Sequence, residues 1–302
     1  MDPPMVLNFF FFLLILFLCP AAISTFPLAK LGCQETCGNI SVPYPFGMSN
    51  ANCYRDSNFQ VICNNTYYNP PKLFTLTNHE ILSISLQGQQ RIYNYVSSRC
   101  YDSEGNLTSS YEPILYQDNY FTYSDTENKF TAIGCDTQGY FSASGKGFQT
   151  GCMLACPDTS YLTNGSCSGI GCCQISVPKG LRYMSAVVTS INMHKYVYYF
   201  NPCSYAFIVD YNWYNYSTSD IKNFSHNIDE TGNSRVPIVV DWAINWEPNI
   251  ITSCDEAMKN QTSYACGNNS VCGNSKNRLG YNCNCSQGHQ GNPYLQDGCQ
   301  GT

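Results

Sequence analysis

The stretch that decides the fold is C-Q-E-T-C-G-N-I-S-V-P-Y-P-F-G, residues 33–47. Cys33 and Cys37 are four residues apart, so two disulfides can anchor the start of this stretch. The residues that follow, 40–42, are β-prone, and prolines 43 and 45 fix their own φ and favour extended geometry in the residues before them. We therefore predict a stiff extended segment over 42–45, a packed Phe46 and a turn at Gly47.

The composition favours some classes of protein and argues against others. The chain has 302 residues, of which 43% are hydrophobic and only 12% are charged, with a net charge of −6. The hydrophobic share is large enough for a sizeable core, whereas the low charge and the many Asn, Ser, Thr and Tyr residues favour β structure with a glycosylated surface. A negative net charge argues against a nucleic-acid partner.

The N-terminus predicts secretion. Residues 9–18 read F-F-F-F-L-L-I-L-F-L and are followed by Cys19-Pro20-Ala21-Ala22. This apolar run is too short to span a bilayer comfortably, and it predicts a cleaved signal peptide at 1–24; a short signal-anchor is the alternative. We expect no transmembrane helix in this chain, because no second apolar run of spanning length follows. The predicted location is secreted, or membrane-anchored if a longer form exists.

Cysteines and sequons agree with that compartment. Removing Cys19 with the signal peptide leaves eighteen of the nineteen cysteines, an even number that suits complete pairing in an oxidising environment. Eight N-x-S/T sequons are predicted glycosylation sites. They are Asn39, Asn64, Asn106, Asn164, Asn215, Asn223, Asn260 and Asn268. A ninth, Asn284, lies between two cysteines and is the least favoured.

The pattern along the chain is one of strands and turns. Residues 81–96 predict a hairpin with glycine in its loop, and apolar or aromatic runs predict further strands at 196–200, 203–210 and 236–244. No long segment has a helical period. We predict a mainly β, disulfide-rich protein. Cys172 and Cys173 are expected to pair with two other segments, because adjacent cysteines seldom fit disulfide geometry.

Five blocks carry a resemblance to a known family. They are the C-x3-C-G and P-Y-P-F-G blocks within 33–47, the run N-G-S-C-S-G-I-G-C-C-Q-I-S-V-P-K-G-L from residue 164, C-S-Y-A-F from residue 203 and D-W-A-I from residue 241. Their order resembles the ectodomain of plant wall-associated receptor kinases. The resemblance implies a β-sandwich-like, cysteine-rich galacturonan-binding domain at 25–248, facing the cell wall or apoplast. A transmembrane helix and a kinase follow in the full receptors, and neither is expected here.

Residues 250–302 resemble an epidermal-growth-factor-like (EGF-like) module. Six cysteines, with a C-x-C at the fourth and fifth, give that pattern. The usual order of the family implies the pairs Cys254–Cys272, Cys266–Cys283 and Cys285–Cys299. The remaining twelve cysteines then belong to 25–248, and their spacing leaves the pairing open.

Catalytic and metal chemistry find no support in the sequence. None of the four histidines lies in a metal-hydrolase motif, and the nucleophile elbow, the P-loop and the kinase motifs are absent. Cysteines in an oxidising compartment favour disulfides over zinc. Calcium is disfavoured because no carboxylate precedes Cys254 in the EGF-like module. We therefore expect no enzyme activity and no cofactor.

Ligand binding is the remaining function. A galacturonan is a row of carboxylates, which calls for Arg and Lys, and the two candidate pairs are Arg91 with Arg99 and Lys179 with Arg182. The stretch 33–47 has no basic residue, so it is expected to be scaffold. The partner implied is cell-wall pectin; the alternative is a secreted protein or peptide bound without pectin contact.

Overall fold

The computed structural model describes residues 26–116, 121–142, 149–244, 253–259 and 262–301. The predicted signal peptide, Asn260 and the predicted module boundary near 248–250 lie outside these residues. None of the helices in these ranges is long and apolar enough to cross a membrane.

Strands dominate the described residues, as predicted. In chain order they are β1 (Thr36–Cys37), β2 (Ile40–Ser41), β3 (Gly47–Met48), β4 (Gln60–Asn64), β5 (Lys72–Thr75), β6 (Glu80–Ser85), β7 (Gln89–Tyr95), β8 (Ser97–Tyr101), β9 (Leu107–Tyr111), β10 (Ile114–Tyr116), β11 (Phe121–Tyr123), β12 (Asn128–Gly134), β13 (Asp136–Ser142), β14 (Gln149–Ala155), β15 (Ser168–Ser176), β16 (Tyr183–Ser190), β17 (Cys203–Asp210), β18 (Arg235–Trp242), β19 (Ser270–Asn274), β20 (Tyr281–Cys285), β21 (His289–Gly291) and β22 (Cys299–Gly301). A helix of 6 residues, α1, covers Cys254–Lys259. Short 3-10 helices cover Ser57–Phe59, Thr159–Tyr161 and Thr218–Ile221.

The larger sheets have seven, five and four strands. The seven-stranded sheet has the order β11-β18-β7-β6-β5-β4-β3 and contains the predicted hairpin as β6 and β7. The five-stranded sheet runs β15-β12-β17-β8-β9, and the four-stranded sheet runs β10-β16-β13-β14. Every pairing within them is antiparallel except β3 with β4.

Two of these sheets pack closely face to face. Phe130 of β12 and Phe141 of β13 meet with ring centroids 5.1 Å apart, and both side chains are fully buried. A Cβ added to Gly139 of β13 would lie 2.6 Å from the Cβ of Ala132 on β12, so this approach requires glycine. The mainly β, disulfide-rich fold predicted from the sequence is confirmed.

All eighteen cysteines of the described residues form disulfides. Six bonds fall before residue 245, and they join Cys33–Cys53, Cys37–Cys63, Cys100–Cys203, Cys135–Cys156, Cys152–Cys173 and Cys167–Cys172. The other three join Cys254–Cys272, Cys266–Cys283 and Cys285–Cys299, the order that the resemblance implied. None of the nine links the two sets.

The stretch 33–47 differs from its prediction in two places. The chain turns at Tyr44 and Pro45 instead of continuing extended, because the N–H of Phe46 donates to the carbonyl of Pro43 at 2.9 Å across a cis Tyr44–Pro45 bond. Gly47 lies in β3 and makes no turn. Glycine is needed there because a Cβ would collide with the carbonyl oxygen of Cys53.

The strand predicted at 196–200 is wrong. This segment forms a helix-like turn, in which the N–H of Tyr198 donates to the carbonyl of His194 at 2.8 Å and that of Asn201 to the carbonyl of Val197 at 2.8 Å. Tyr196 and Tyr199, three residues apart, are each more than four-fifths exposed. The aromatic residues of this segment therefore lie in a turn and do not form one face of a sheet.

The EGF-like module packs tightly on the preceding sheets. Ile244 and Tyr281 exchange two backbone hydrogen bonds of 2.9 and 3.0 Å, and both are buried in the main hydrophobic cluster. The buried amide of Asn292 donates to the carbonyls of Leu28 and Tyr44 at 2.6 and 2.7 Å. We call this contact between residues 26–244 and 253–301 the module seam.

Candidate functional site

Arg91 and Arg99 lie apart and each faces a carboxylate. Arg91 of β7 forms an ion pair with Asp210, whose side chain is fully buried at the end of β17. Arg99 of β8 lies opposite Ser204 near the start of β17 and has Glu112 at 3.7 Å. Asp210 and Ser204 are six residues apart on β17, which is ~20 Å along an antiparallel strand. The two arginines beside them therefore do not share one patch. Arg91 compensates a buried charge, which is a structural role.

Lys179 and Arg182 acquire two basic neighbours from the other module. The N–H of Gly180 donates to the side-chain oxygen of Asn277 at 2.8 Å, across the module seam. Lys179 and Arg182 lie one and two residues from Gly180, and Lys276 and Arg278 flank Asn277. We call these four residues the basic seam cluster: Lys179, Arg182, Lys276 and Arg278. The first three are exposed and Arg278 is half-buried.

Asn277 is held firmly, which fixes the geometry of the cluster. It is buried, and its amide donates to the carbonyl of Tyr123 at 2.8 Å and to the carboxyl of Asp241 at 2.7 Å. Burial raises the pKa of Asp241, and hydrogen bonds from Asn277 and Gln89 oppose that shift. An amide that satisfies three partners holds the loop that carries Lys276 and Arg278 against the preceding sheets.

A cleft of about 400 Å³ opens beside Lys276 and Asn277. Its walls combine amide side chains, among them Gln87 and Asn282, with the carboxylates of Asp125 and Asp241. Hydroxyl groups of a sugar can use such amides as both donors and acceptors. Lys276 therefore lines the cleft beside neutral hydrogen-bonding groups, while Asp125 and Asp241 add negative charge to the same walls.

Of the four residues of the basic seam cluster, only Lys179 and Arg182 were predicted from the sequence as binding residues. Lys276 and Arg278 were missed because they flank Asn277, which lies 97 residues beyond its contact Gly180 in sequence. The one available signal was a Lys-x-Arg pair in a short loop of a chain with few charges. Only the tertiary structure shows that the loops carrying the two basic pairs are in contact.

The described sequons lie on accessible surface. Asn64 is partly exposed, and the others within the described residues are exposed, namely Asn39, Asn106, Asn164, Asn215, Asn223 and Asn268. Asn164 and Asn215 come close together, since a Cβ on Gly165 would lie 3.3 Å from the Asn215 side-chain oxygen. Their positions are compatible with the predicted glycans, and none of these asparagines belongs to the basic seam cluster.

A histidine and a serine meet in the interior. His194 places Nε2 2.8 Å from the Ser204 hydroxyl and Nδ1 2.5 Å from the Asn201 carbonyl, and all three residues are fully buried. The backbone N–H of His194 donates to Asp136 at 2.8 Å. A nucleophile needs access to substrate, and this serine has none. The network therefore holds the 194–201 turn.

This buried network predicts how the stability of the fold depends on pH. Burial lowers the pKa of His194, and the Asn201 carbonyl and the Asp136 charge oppose that shift. Because the unfolded state takes up the proton first, stability is full above the unfolded pKa of about 6.5 and falls as the pH drops below it. Denaturant unfolding at several pH values measures the free energy of unfolding of the wild type and of His194→Gln. Below pH ~6.5 this free energy should fall less steeply with decreasing pH in the variant. An identical slope would contradict the assignment.

Fold and disulfides together define a cysteine-rich, mainly β protein, whose nine disulfides within the described residues suit an oxidising compartment. Residues 33–95 match the family model described as wall-associated receptor kinase galacturonan-binding. That stretch is therefore similar to the galacturonan-binding part of the wall-associated receptor kinases, in line with the resemblance of the five blocks.

The relatives extend this similarity over most of the chain. The chain is 38% identical to wall-associated receptor kinase 2 of Arabidopsis thaliana over 273 residues, covering 89% of this chain and 34% of that protein. It is 35% identical to wall-associated receptor kinase 5 of the same plant over 274 residues, with the same coverage. The chain thus spans about a third of the length of the curated relatives it matches. No solved structure matches it.

Proposed function

We propose that the protein binds cell-wall pectin directly, through its de-esterified galacturonan, at the cell wall or apoplast. The observation that carries this proposal is the basic seam cluster, because two loops that each carry two basic residues are in contact in a chain of net charge −6. A polyanion is repelled by the protein as a whole and must find a local positive surface. The family of residues 33–95 supports the same ligand class.

The cluster suits a chain of uronates better than a single acid. Its two basic pairs come from separate loops, so they can contact successive carboxylates along one polymer. Arginine can pair bidentately with a carboxylate, while lysine acts as a mobile point charge. Binding that uses both modules also explains why Asn277, Gly180 and Tyr123 fix their relative position.

Charge removal at the cluster tests the proposal. The double variant Lys179→Gln/Lys276→Gln of the secreted chain should bind a de-esterified oligogalacturonide roughly tenfold more weakly, since two exposed ionic contacts are lost. Its binding should also depend less on salt. Isothermal titration calorimetry at several salt concentrations, with and without calcium, measures both effects.

A matched control has the same net charge. Lys195→Gln/Lys222→Gln removes two other exposed lysines and leaves the cluster intact. This control should bind the oligogalacturonide like the wild type. If both double variants lose affinity equally, the effect comes from total charge and the cluster is not the site. Absence of binding by the wild type at millimolar sugar, in either calcium condition, would reject pectin as the ligand.

A further inference from the structure

A second and larger cleft lies elsewhere on the module seam. It has a volume of about 770 Å³ and is walled on one side by the segment around Lys30 and Leu31, with Tyr44 and Arg55. The other wall belongs to the EGF-like module and includes Tyr264. The stretch 33–47, predicted to be scaffold alone, thus supplies part of a cleft through Cys33, Glu35 and Tyr44. We call this space the signature cleft.

Two cations lie at half-buried positions in the signature cleft. The Lys30 ammonium sits 4.3 Å from the ring centroid of Tyr44, and one Arg55 nitrogen donates to the carbonyl of Ser263 at 2.5 Å. Both side chains are thereby held in place, and both keep further N–H groups, since an ammonium has three and a guanidinium five. These donors favour a carboxylate as the ligand group.

Two carboxylates stand at exposed positions around them. Glu35 accepts hydrogen bonds from the backbone N–H groups of Leu28 and Ala29 at 3.2 and 3.3 Å. Asp297 accepts one from Asn268 at 2.9 Å. The cleft is therefore positive at its half-buried positions and negative at its exposed ones. A ligand with one carboxylate fits this pattern, with that carboxylate at the half-buried cations and away from Glu35 and Asp297.

Apolar groups complete the lining. Leu31 is fully exposed, at 105% of its reference area, in a turn closed by the bond from the Cys33 N–H to the Lys30 carbonyl at 3.0 Å. Cys33 is in turn tied to Cys53. Tyr264 is half-buried and stacks on Tyr281 with ring centroids 5.9 Å apart. A rigidly displayed leucine beside a tyrosine ring offers a surface to an apolar side chain and little to the hydroxyls of a sugar.

We propose that the signature cleft binds a short peptide segment of a secreted partner, in which one carboxylate lies next to an apolar side chain. The carboxylate contacts Lys30 and Arg55, and the apolar side chain packs on Leu31 and Tyr264. Backbone or side-chain donors of the peptide face Glu35 and Asp297. This peptide site is separate from the basic seam cluster and goes beyond pectin binding.

Paired probes test the carboxylate requirement without any change in the protein. The tripeptide acetyl-Gly-Leu-Leu with a free α-carboxylate should bind the secreted chain, and its α-amide should bind roughly tenfold more weakly because a charge-assisted contact is lost. Saturation-transfer NMR and titration calorimetry measure the two affinities. Equal binding of acid and amide, or no binding of the acid at millimolar concentration, would overturn the proposal.

Two variants locate the peptide. Lys30→Gln should weaken the acid peptide roughly tenfold and leave the amide unchanged, since Lys30 supplies charge to the carboxylate alone. Lys276→Gln should leave peptide binding unchanged while it weakens the oligogalacturonide, so the two sites can fail independently. Displacement of the peptide by the oligogalacturonide in the Lys276→Gln variant would assign the signature cleft to pectin and overturn the peptide site.

Discussion

Replacing both Cys100 and Cys203 by alanine is expected to lower the free energy of unfolding by about 5 kcal/mol. This disulfide joins neighbouring strands β8 and β17 across 103 residues of sequence. It therefore restricts the unfolded chain more than any of the other eight bonds, whose separations are 26 or fewer. Reversible denaturant unfolding, followed by circular dichroism, measures the loss.

The matched comparison is the shortest loop. Cys167 and Cys172 are five residues apart, and their removal is expected to cost about 2 kcal/mol by the same loop-entropy argument. The difference between the two double variants is the informative quantity, since each removes one bond of the same kind. Losses of equal size would show that loop length does not govern these disulfides.

Truncating Trp242 to alanine is expected to cost about 3–5 kcal/mol. Its side chain is 1% exposed and lies within 5.2–5.7 Å, centroid to centroid, of the rings of Phe46, Phe59 and Tyr294. Phe46 comes from the stretch 33–47, and Tyr294 comes from the EGF-like module. The substitution therefore opens a cavity where the two modules share one core.

Trp213 provides the control for Trp242. It is 41% exposed, and Trp213→Ala is expected to change stability by less than about 1 kcal/mol. Thermal and denaturant unfolding of both variants give the comparison, and limited proteolysis near residues 245–252 reports separation of the modules. A Trp242→Ala protein as stable as Trp213→Ala would contradict the shared core.

Much of the fold could be predicted because its signals are local. The β6–β7 hairpin follows from alternating residues around a glycine loop, and the mainly β class follows from the absence of helical periods. The three disulfides after residue 253 follow from an ordered cysteine pattern that resembles a known module. Local spacing carries such features whatever the rest of the chain does.

The vicinal cysteines show where local signals stop. The sequence indicated separate partners for Cys172 and Cys173 but could not name them. Both lie in β15, where successive side chains point to opposite faces. Cys172 accordingly sits in the smaller hydrophobic cluster and bonds Cys167, whereas Cys173 packs on the main cluster and bonds Cys152. The pairing is a consequence of which sheet covers each face.

The turn at 196–200 was predicted as a strand for a similar reason. Its aromatic residues have high β propensity, but that propensity is easily overridden by context. Here buried His194 and Asn201 bond to groups on β13 and β17, or to the backbone beside them, and those contacts fix a turn. Asp136 lies 58 residues from His194 in sequence, so no local pattern indicates that contact.

The sequence by itself determined the β class, the resemblance of residues 33–47 to a known family and one pair of the basic residues. The tertiary structure decided the pairing of twelve cysteines, the ion pair that gives Arg91 a structural role, and the contact between the loop of Lys179 and Arg182 and the loop of Lys276 and Arg278. It also turned the stretch 33–47 from scaffold alone into one wall of a cleft. The physical reason is common to all of these: burial and charge pairing depend on which surfaces meet when two modules pack, and that is a property of the whole chain.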